Sequence, residues 1–214
     1  IWLMIATILS SYIHGLLIDK FRGTGWAKFF LGSSVVLSIG ALGFFKYSDF
    51  FISNANSLFK TEFPLLGLAL PIGISFYTFQ TLSYTIDVYR DEAKVQKSPI
   101  RLATYVALFP QLIAGPIVRY KDIEDQLDDR TVHIPTLLDG AFRFSMGLAK
   151  KIWIADHCGE AVTMLYSLSD VTVGGRWLGA VFYTLQLYFD FSGYSDMAIG
   201  LGKMFGFRFL ENFN

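Results

Sequence analysis

Gln80, Tyr84 and Asp87 recur at intervals of four and three, so on a helix they share one face. Gln186 and Asp190 repeat the four-residue interval, and Asp196 follows beyond Gly193. Amide, phenol and carboxylate groups set in apolar segments are costly at membrane depth and tend to mark a path for substrate or protons. Together with Gln111, directly after Pro110, they could line a wet cavity within a helix bundle. The competing role is structural: interhelical hydrogen bonds that hold the bundle, with Asp87 ending a helix and pairing with Arg90. Asp190, with Asp196 near it across a glycine, leans to function.

His14, His133 and His157 are the histidines, and none has a second His or Cys at metal-ligand spacing. No metal site is expected. His157 adjoins Cys158, but a contiguous pair is poor geometry for a nucleophile and its base. His14 falls in an apolar segment, where a packed histidine is the simpler role. The single cysteine precludes an internal disulfide. No G-x-S-x-G, P-loop or dinucleotide fingerprint occurs.

The elements that would position these groups are apolar helices. Of 214 residues, 53% are hydrophobic and only 17% charged, with 21 Phe and 11 Tyr, and the mean hydropathy is +0.43. Soluble domains carry about 25% charged residues. The composition therefore points to an all-α, polytopic transmembrane bundle, and zero net charge offers no field for nucleic acid. Residues 1–18, 26–47 and 65–89 each supply about the 20 apolar residues a span needs. Pro71 and Gly73 should bend the third. Residues 48–63 are too polar to span, and are either an interfacial helix or a loop. Residues 102–118 are short and carry Pro110 and Pro116, which suggests a tilted or re-entrant element. Residues 120–135 read as a loop. Residues 136–154 resume a helical pattern in which Asp139 and Arg143 share a face, and 158–168 form a short apolar stretch. Residues 177–207 are too long for one span of about 30 Å, with Gly193 as the expected hinge between two half-helices. Basic residues after the first and third spans, Lys20 and Arg22, then Arg90, Lys94, Lys97 and Arg101, place those connections in the cytoplasm.

Four stretches resemble the membrane-bound O-acyltransferase family. They are LPIGISFYTFQTLSYTIDVYR at 70–90, FPQLIAGPIVR at 109–119, KKIWIAD at 150–156 and YFDFSGYSDMAIGLG at 188–202. Their order and separations are similar to the bacterial branch that acetylates alginate, and the likeness covers residues 44–214. The resemblance implies a bacterial inner-membrane protein, multi-pass, that moves an acyl group, usually acetyl, from a cytoplasmic thioester such as acetyl-CoA. The acceptor would be a hydroxyl of an exported polysaccharide, or an extracytoplasmic acetyltransferase partner. No tightly bound cofactor is implied.

The family's catalytic histidine belongs to a Trp-His-x-Ser stretch. Trp2, Trp26, Trp153 and Trp177 are the tryptophans, and none precedes a histidine. With Ile1 first and Glu211-Asn-Phe-Asn214 last, both ends read as cuts. The expectation is one transmembrane domain over 1–214, part of a longer acyltransferase domain, inactive alone, with the histidine downstream. By motif match, the supporting or tunnel residues are Gln80, Tyr84, Asp87, Gln111, Arg119, Asp190, Ser192, Tyr194 and Asp196. Arg119 meets a donor phosphate or simply anchors the cytoplasmic rim. Ser192 contributes to the tunnel or satisfies backbone groups beside Gly193. A transporter or channel built on Pro- and Gly-broken helices, and a non-catalytic membrane scaffold, are the rival functions.

Overall fold

Helices make up every regular element in a computed structural model that describes residues 2–110, 118–128, 130–168 and 170–213. The chain divides into two compact units, residues 1–113 with 119–127, and residues 114–118 with 128–214.

In the first unit, α1 (Trp2–Lys20) and α2 (Gly25–Phe59) are joined by a tight turn at Gly23, whose φ of +80° suits a residue without Cβ. These two are long and apolar enough to cross a membrane, with mean hydropathies of 1.4 and 1.7. Their large apolar side chains, among them Leu9, Val36, Leu37 and Phe44, point outward, as side chains solvated by lipid do. At 35 residues, α2 is about 52 Å long at about 1.5 Å per residue, and so exceeds a bilayer core of about 30 Å.

The excess length of α2 absorbs residues 48–59, which are therefore neither a separate interfacial helix nor a loop. Their polar groups tie down the extended segment that follows. Asp49 accepts from the Leu66 and Gly67 amides at 2.8 and 3.1 Å. Asn56 accepts from the Phe63 amide and the Thr61 hydroxyl, both at 2.9 Å. The expected third span is shorter than its hydropathy suggests: residues 61–71 are not helical, and α3 runs over Ile74–Tyr89 behind a left-handed Gly73 with φ +74°. Helix α4 (Pro99–Val106) starts from Ser98, with proline in its first turn where a missing N–H costs nothing. The expected 120–135 loop instead opens with α5 (Tyr120–Asp128), which turns Tyr120 and Ile123 inward. The expected re-entrant element over 102–118 lies partly at 111–117, outside the described residues.

The second unit is an antiparallel helical pair. One arm runs through α6 (Ile134–Ala149), a π-helical segment (Lys150–Asp156) and α7 (His157–Ser167). The other arm is α8 (Val173–Met204), whose N-cap Thr172 accepts from the Gly175 amide at 3.2 Å. Helix α8 continues through Gly193, so the expected hinge is absent. The glycine has a packing role instead. A Cβ built on Gly193 would lie 2.7 Å from the Gly147 carbonyl oxygen, and one on Gly147 would lie 2.5 Å from that of Gly193. Two turns away, Gly140 and Gly200 meet in the same way, each with a built Cβ 2.6 Å from the other's carbonyl oxygen. Helix backbones can approach so closely only where side chains are absent. The irregularity expected in α8 is found in its partner arm, over Lys150–Asp156.

Candidate functional site

The sequence-nominated residues fall into two clusters, one in each unit. In the first unit, α3 turns Tyr77, Gln80, Tyr84 and Asp87 inward as a single stripe. Tyr84 is wholly buried, and its ring packs where α1 has no side chain, so that a Cβ on Gly15 would lie 2.7 Å from its hydroxyl oxygen. That oxygen accepts from the Gln96 amide at 3.1 Å. The ring meets Tyr120 edge-on at 4.9 Å, and Tyr120 meets Tyr105 likewise at 5.3 Å. Gln96 closes the cluster by donating its side-chain amide to the Tyr120 hydroxyl at 3.0 Å. Sequence reasoning missed Gln96, Tyr105 and Tyr120. Gln96 and Tyr120 lie in segments read as a connection and a loop, Tyr105 in the expected tilted or re-entrant element, and only the fold brings them to α3.

Asp87 is buried at the end of this stripe. The pairing with Arg90 suggested by sequence does not form: among the described residues Asp87 makes no ion pair, and its Oδ2 has no hydrogen-bond partner. Its carbonyl oxygen accepts from the Glu92 amide at 2.9 Å. Arg119 and Lys121 are close enough to act on its charge. Arg119 precedes α5, where its amide donates to the Asp122 carboxylate at 3.2 Å. Lys121 pairs with Glu92 at 2.6 Å and holds that exposed carboxyl below the ordinary glutamate range. Gln111 lies outside the described residues.

In the second unit, charges gather between the two glycine contacts. Asp196 accepts from Arg143 at 2.9 and 3.2 Å on one oxygen and from Lys150 at 2.6 Å on the other. Arg143 also pairs with Glu211, and this guanidinium holds the Glu211 carboxyl below its usual range. Asp139, four residues before Arg143, pairs with Lys203 at 2.6 Å. The shared face of Asp139 and Arg143 thus serves contacts across the interface.

Lys150 and Lys151 both lie in the π segment and both reach α8. Lys151 lies 3.5 Å from Asp190, a half-exposed residue, and 2.5 Å from Asp156. A π segment widens the helix by one residue per turn and is frequent at functional sites. Here it lets adjacent lysines address aspartates six positions apart on α8. Ser192 is buried, its hydroxyl without a partner among the described residues, and Tyr194 is half-buried. Gln186 packs on α7, its amide nitrogen 2.8 Å from a Cβ built on Gly159. With Asp156, Glu160, Thr163 and Met164 it lines an open groove.

The histidines have other work. His14 bonds the Ser10 carbonyl at 2.7 Å and the Ser33 hydroxyl at 3.0 Å, tying α1 to α2. His157 bonds the Ile152 carbonyl at 3.1 Å within its own helical run. His133 is the N-cap of α6. Among the described residues no group of three His, Cys, Asp or Glu side chains converges as a metal site would require.

Comparison with known proteins follows these motifs. The family model described as MBOAT, membrane-bound O-acyltransferase family, matches residues 74–214. The chain is 47% identical over 88% of its length to a protein of Azotobacter vinelandii named "probable alginate O-acetylase AlgI". It is 49% identical over 84% of its length to the like-named protein of Pseudomonas aeruginosa. A peptidoglycan O-acetyltransferase of Helicobacter pylori is 35% identical over 99% of the chain. The chain spans 38%, 35% and 46% of the lengths of these three relatives.

Proposed function

The chain belongs to the membrane-bound O-acyltransferase family, and on that premise we propose that it forms part of an enzyme that acylates a hydroxyl outside the bacterial inner membrane. The donor is a cytoplasmic thioester, acetyl-CoA being the simplest. The acceptor is a hydroxyl of an exported polysaccharide, alginate or a similar exopolysaccharide, either directly or through an extracytoplasmic acetyltransferase partner. The observation that carries this is the identity of close to one half with proteins named as alginate O-acetylases, across more than four fifths of the chain. The protein is multi-pass and these 214 residues are one part of a longer transmembrane domain.

Chemically, acyl transfer needs a base to take the acceptor's proton and a dry path that orients the thioester carbonyl. The resemblance assigns the base to a histidine of a Trp-His-x-Ser stretch, which these 214 residues do not contain. The residues present supply the path and its frame. In the first unit the Tyr84 cluster and Asp87 brace the frame, and Arg119 meets the donor's phosphates at the cytoplasmic rim. In the second unit Asp190, Ser192 and Tyr194 are the supporting residues on α8. Asp196 holds the two arms of the second unit in register through Arg143 and Lys150. Gln111 joins this set by motif match.

The test is acetyl transfer from labelled acetyl-CoA by the full-length protein, with its partner supplied. It is run alongside Asp190→Ala and a variant lacking the downstream histidine. Transfer that disappears with the histidine supports an enzyme. No transfer in any folded version favours a transporter or a scaffold.

A further inference from the structure

Hydroxyls within apolar helices usually return their proton to a carbonyl three or four residues back. On α1 and α3 that holds for Thr7, Thr81, Ser83 and Thr85, at 2.8–3.2 Å. Four buried polar atoms on the same helices break the pattern. Ser11 Oγ, Tyr77 Oη, Gln80 Oε1 and Asp87 Oδ2 have no partner among the described residues. Their residues are only 1%, 2%, 6% and 4% exposed.

Helix register brings these atoms together. Helices α1 and α3 run parallel, because Arg22, just past the end of α1, donates to the Val88 carbonyl at 3.1 Å and pairs with Asp91 at 2.5 Å. Gly15 faces Tyr84. One turn earlier on both helices, Ser11 falls level with Gln80. From that level Tyr77 lies a turn further from the basic 90–101 connection, and Asp87 two turns nearer to it. From Tyr77 to Asp87 is about 15 Å at about 1.5 Å per residue, half of a bilayer core of about 30 Å. Buried polar atoms left unpaired are strongly disfavoured, and bound water is their usual partner. An acyl chain does not fit the seam, since the Tyr84 ring rests on Gly15, but water can lie on either side of that hydroxyl.

We propose that the α1–α3 seam binds a file of water that returns the acceptor's proton to the cytoplasm, with Asp87 as its inner terminus; this rests on the acyl-transfer function above. In that transfer the thioester C–S bond breaks and an ester C–O bond forms. The hydroxyl proton is released on the outer side, while the leaving thiolate takes up a proton on the cytoplasmic side. Without an internal route, each turnover leaves a positive charge outside and a negative one inside, against the membrane potential. A water file between the two sides cancels that separation.

Two measurements on the full-length protein test this. X-ray hydroxyl-radical footprinting in nanodiscs reads bound water directly and needs no activity. Tyr77 should be oxidised despite its burial, and Gln80→Leu, or the milder Ser11→Ala, should lower that oxidation several-fold. An unmodified Tyr77 beside a labelled, exposed Tyr183 would overturn the proposal. In proteoliposomes with donor inside and acceptor outside, ester formation by the unaltered protein should leave internal pH constant and be insensitive to an imposed potential. In Gln80→Leu and Ser11→Ala, the interior should become more alkaline by one proton per ester. Turnover should then fall with inside-negative potential, by up to about fifty-fold per 100 mV for a fully uncompensated charge. Flat potential dependence in both variants would also overturn it. No ester from the unaltered protein would count against acyl transfer itself, while the footprint still decides whether the seam is wet.

Discussion

Replacing Gly147 by alanine places a methyl carbon 2.5 Å from the Gly193 carbonyl oxygen and 2.8 Å from the Met197 amide nitrogen. Both obstacles are backbone atoms of a continuous helix, so neither can rotate away. Ordinary contact lies near 3.5 Å, and the two arms must therefore part locally by about 1 Å. A separation of that size, if the side chains did not follow, would carry the Arg143–Asp196 hydrogen bonds, now 2.9 and 3.2 Å, past useful geometry. Overpacking costs about 1–3 kcal/mol, and weakening a bond between charged groups adds to it. The better helix propensity of alanine returns at most about 1 kcal/mol. A net loss of about 1–3 kcal/mol is expected, read as a lower unfolding midpoint of the purified protein in mixed micelles. Gly43→Ala on α2, where a built Cβ meets nothing within 4 Å, is the control and should be neutral or slightly stabilising. Equal stability of the two variants would refute the close-contact account of α6 and α8. Gly193→Ala separates packing from hinging: a contact glycine loses stability on substitution, whereas a hinge glycine loses activity at unchanged stability.

Other consequences can be measured on the same material. Asp196→Asn leaves Arg143 and Lys150 partly buried beside a neutral group and should destabilise by about 2–3 kcal/mol, a loss discounted from a fully buried pair by the remaining exposure. Arg143→Lys gives up the planar fork shared by Asp196 and Glu211, and should cost about 1 kcal/mol in the same unfolding assay. The Glu211 carboxyl is held below the ordinary range by Arg143, so its contribution to stability is complete above the unfolded carboxylate range, about pH 4.3. It is lost as pH falls through the lower folded value; Glu211→Gln should therefore flatten the acid limb of the stability profile and leave its shape near pH 7 unchanged. Gly15→Ala drives a Cβ to 2.7 Å from the Tyr84 hydroxyl oxygen. A double-mutant cycle with Tyr84→Phe should show coupling above about 0.5 kcal/mol, and additive effects would mean the two residues do not touch.

Much of the protein follows from composition and local pattern. Apolar runs of span length set α1 and α2, because a lipid-facing helix must be apolar all round and must satisfy its backbone internally. The spacing of Gln80, Tyr84 and Asp87 placed them on one face, since helix geometry depends only on residue separation. The family was legible in four ordered motifs. What required the tertiary structure were the partners. Asp49 and Asn56 made residues 48–63 look too polar to continue a span, because the hydrogen bonds that satisfy them reach seven to eighteen residues along the chain. Glycine at 193 looked like a hinge because a glycine's local effect is flexibility; only the facing Gly147, 46 residues away, turns it into a contact. Tyr105, Tyr120 and Gln96 carried no periodic signal, and their burial around Tyr84 arises from how α3, α4 and α5 pack. The π segment escaped notice for the same reason, as lysines 150 and 151 become a pair only opposite Asp190 and Asp196. Sequence determines where the long apolar helices run and which face of α3 is polar, because those are local properties. Which glycine meets which carbonyl, and which charge neutralises which, is decided by the long-range packing of helices.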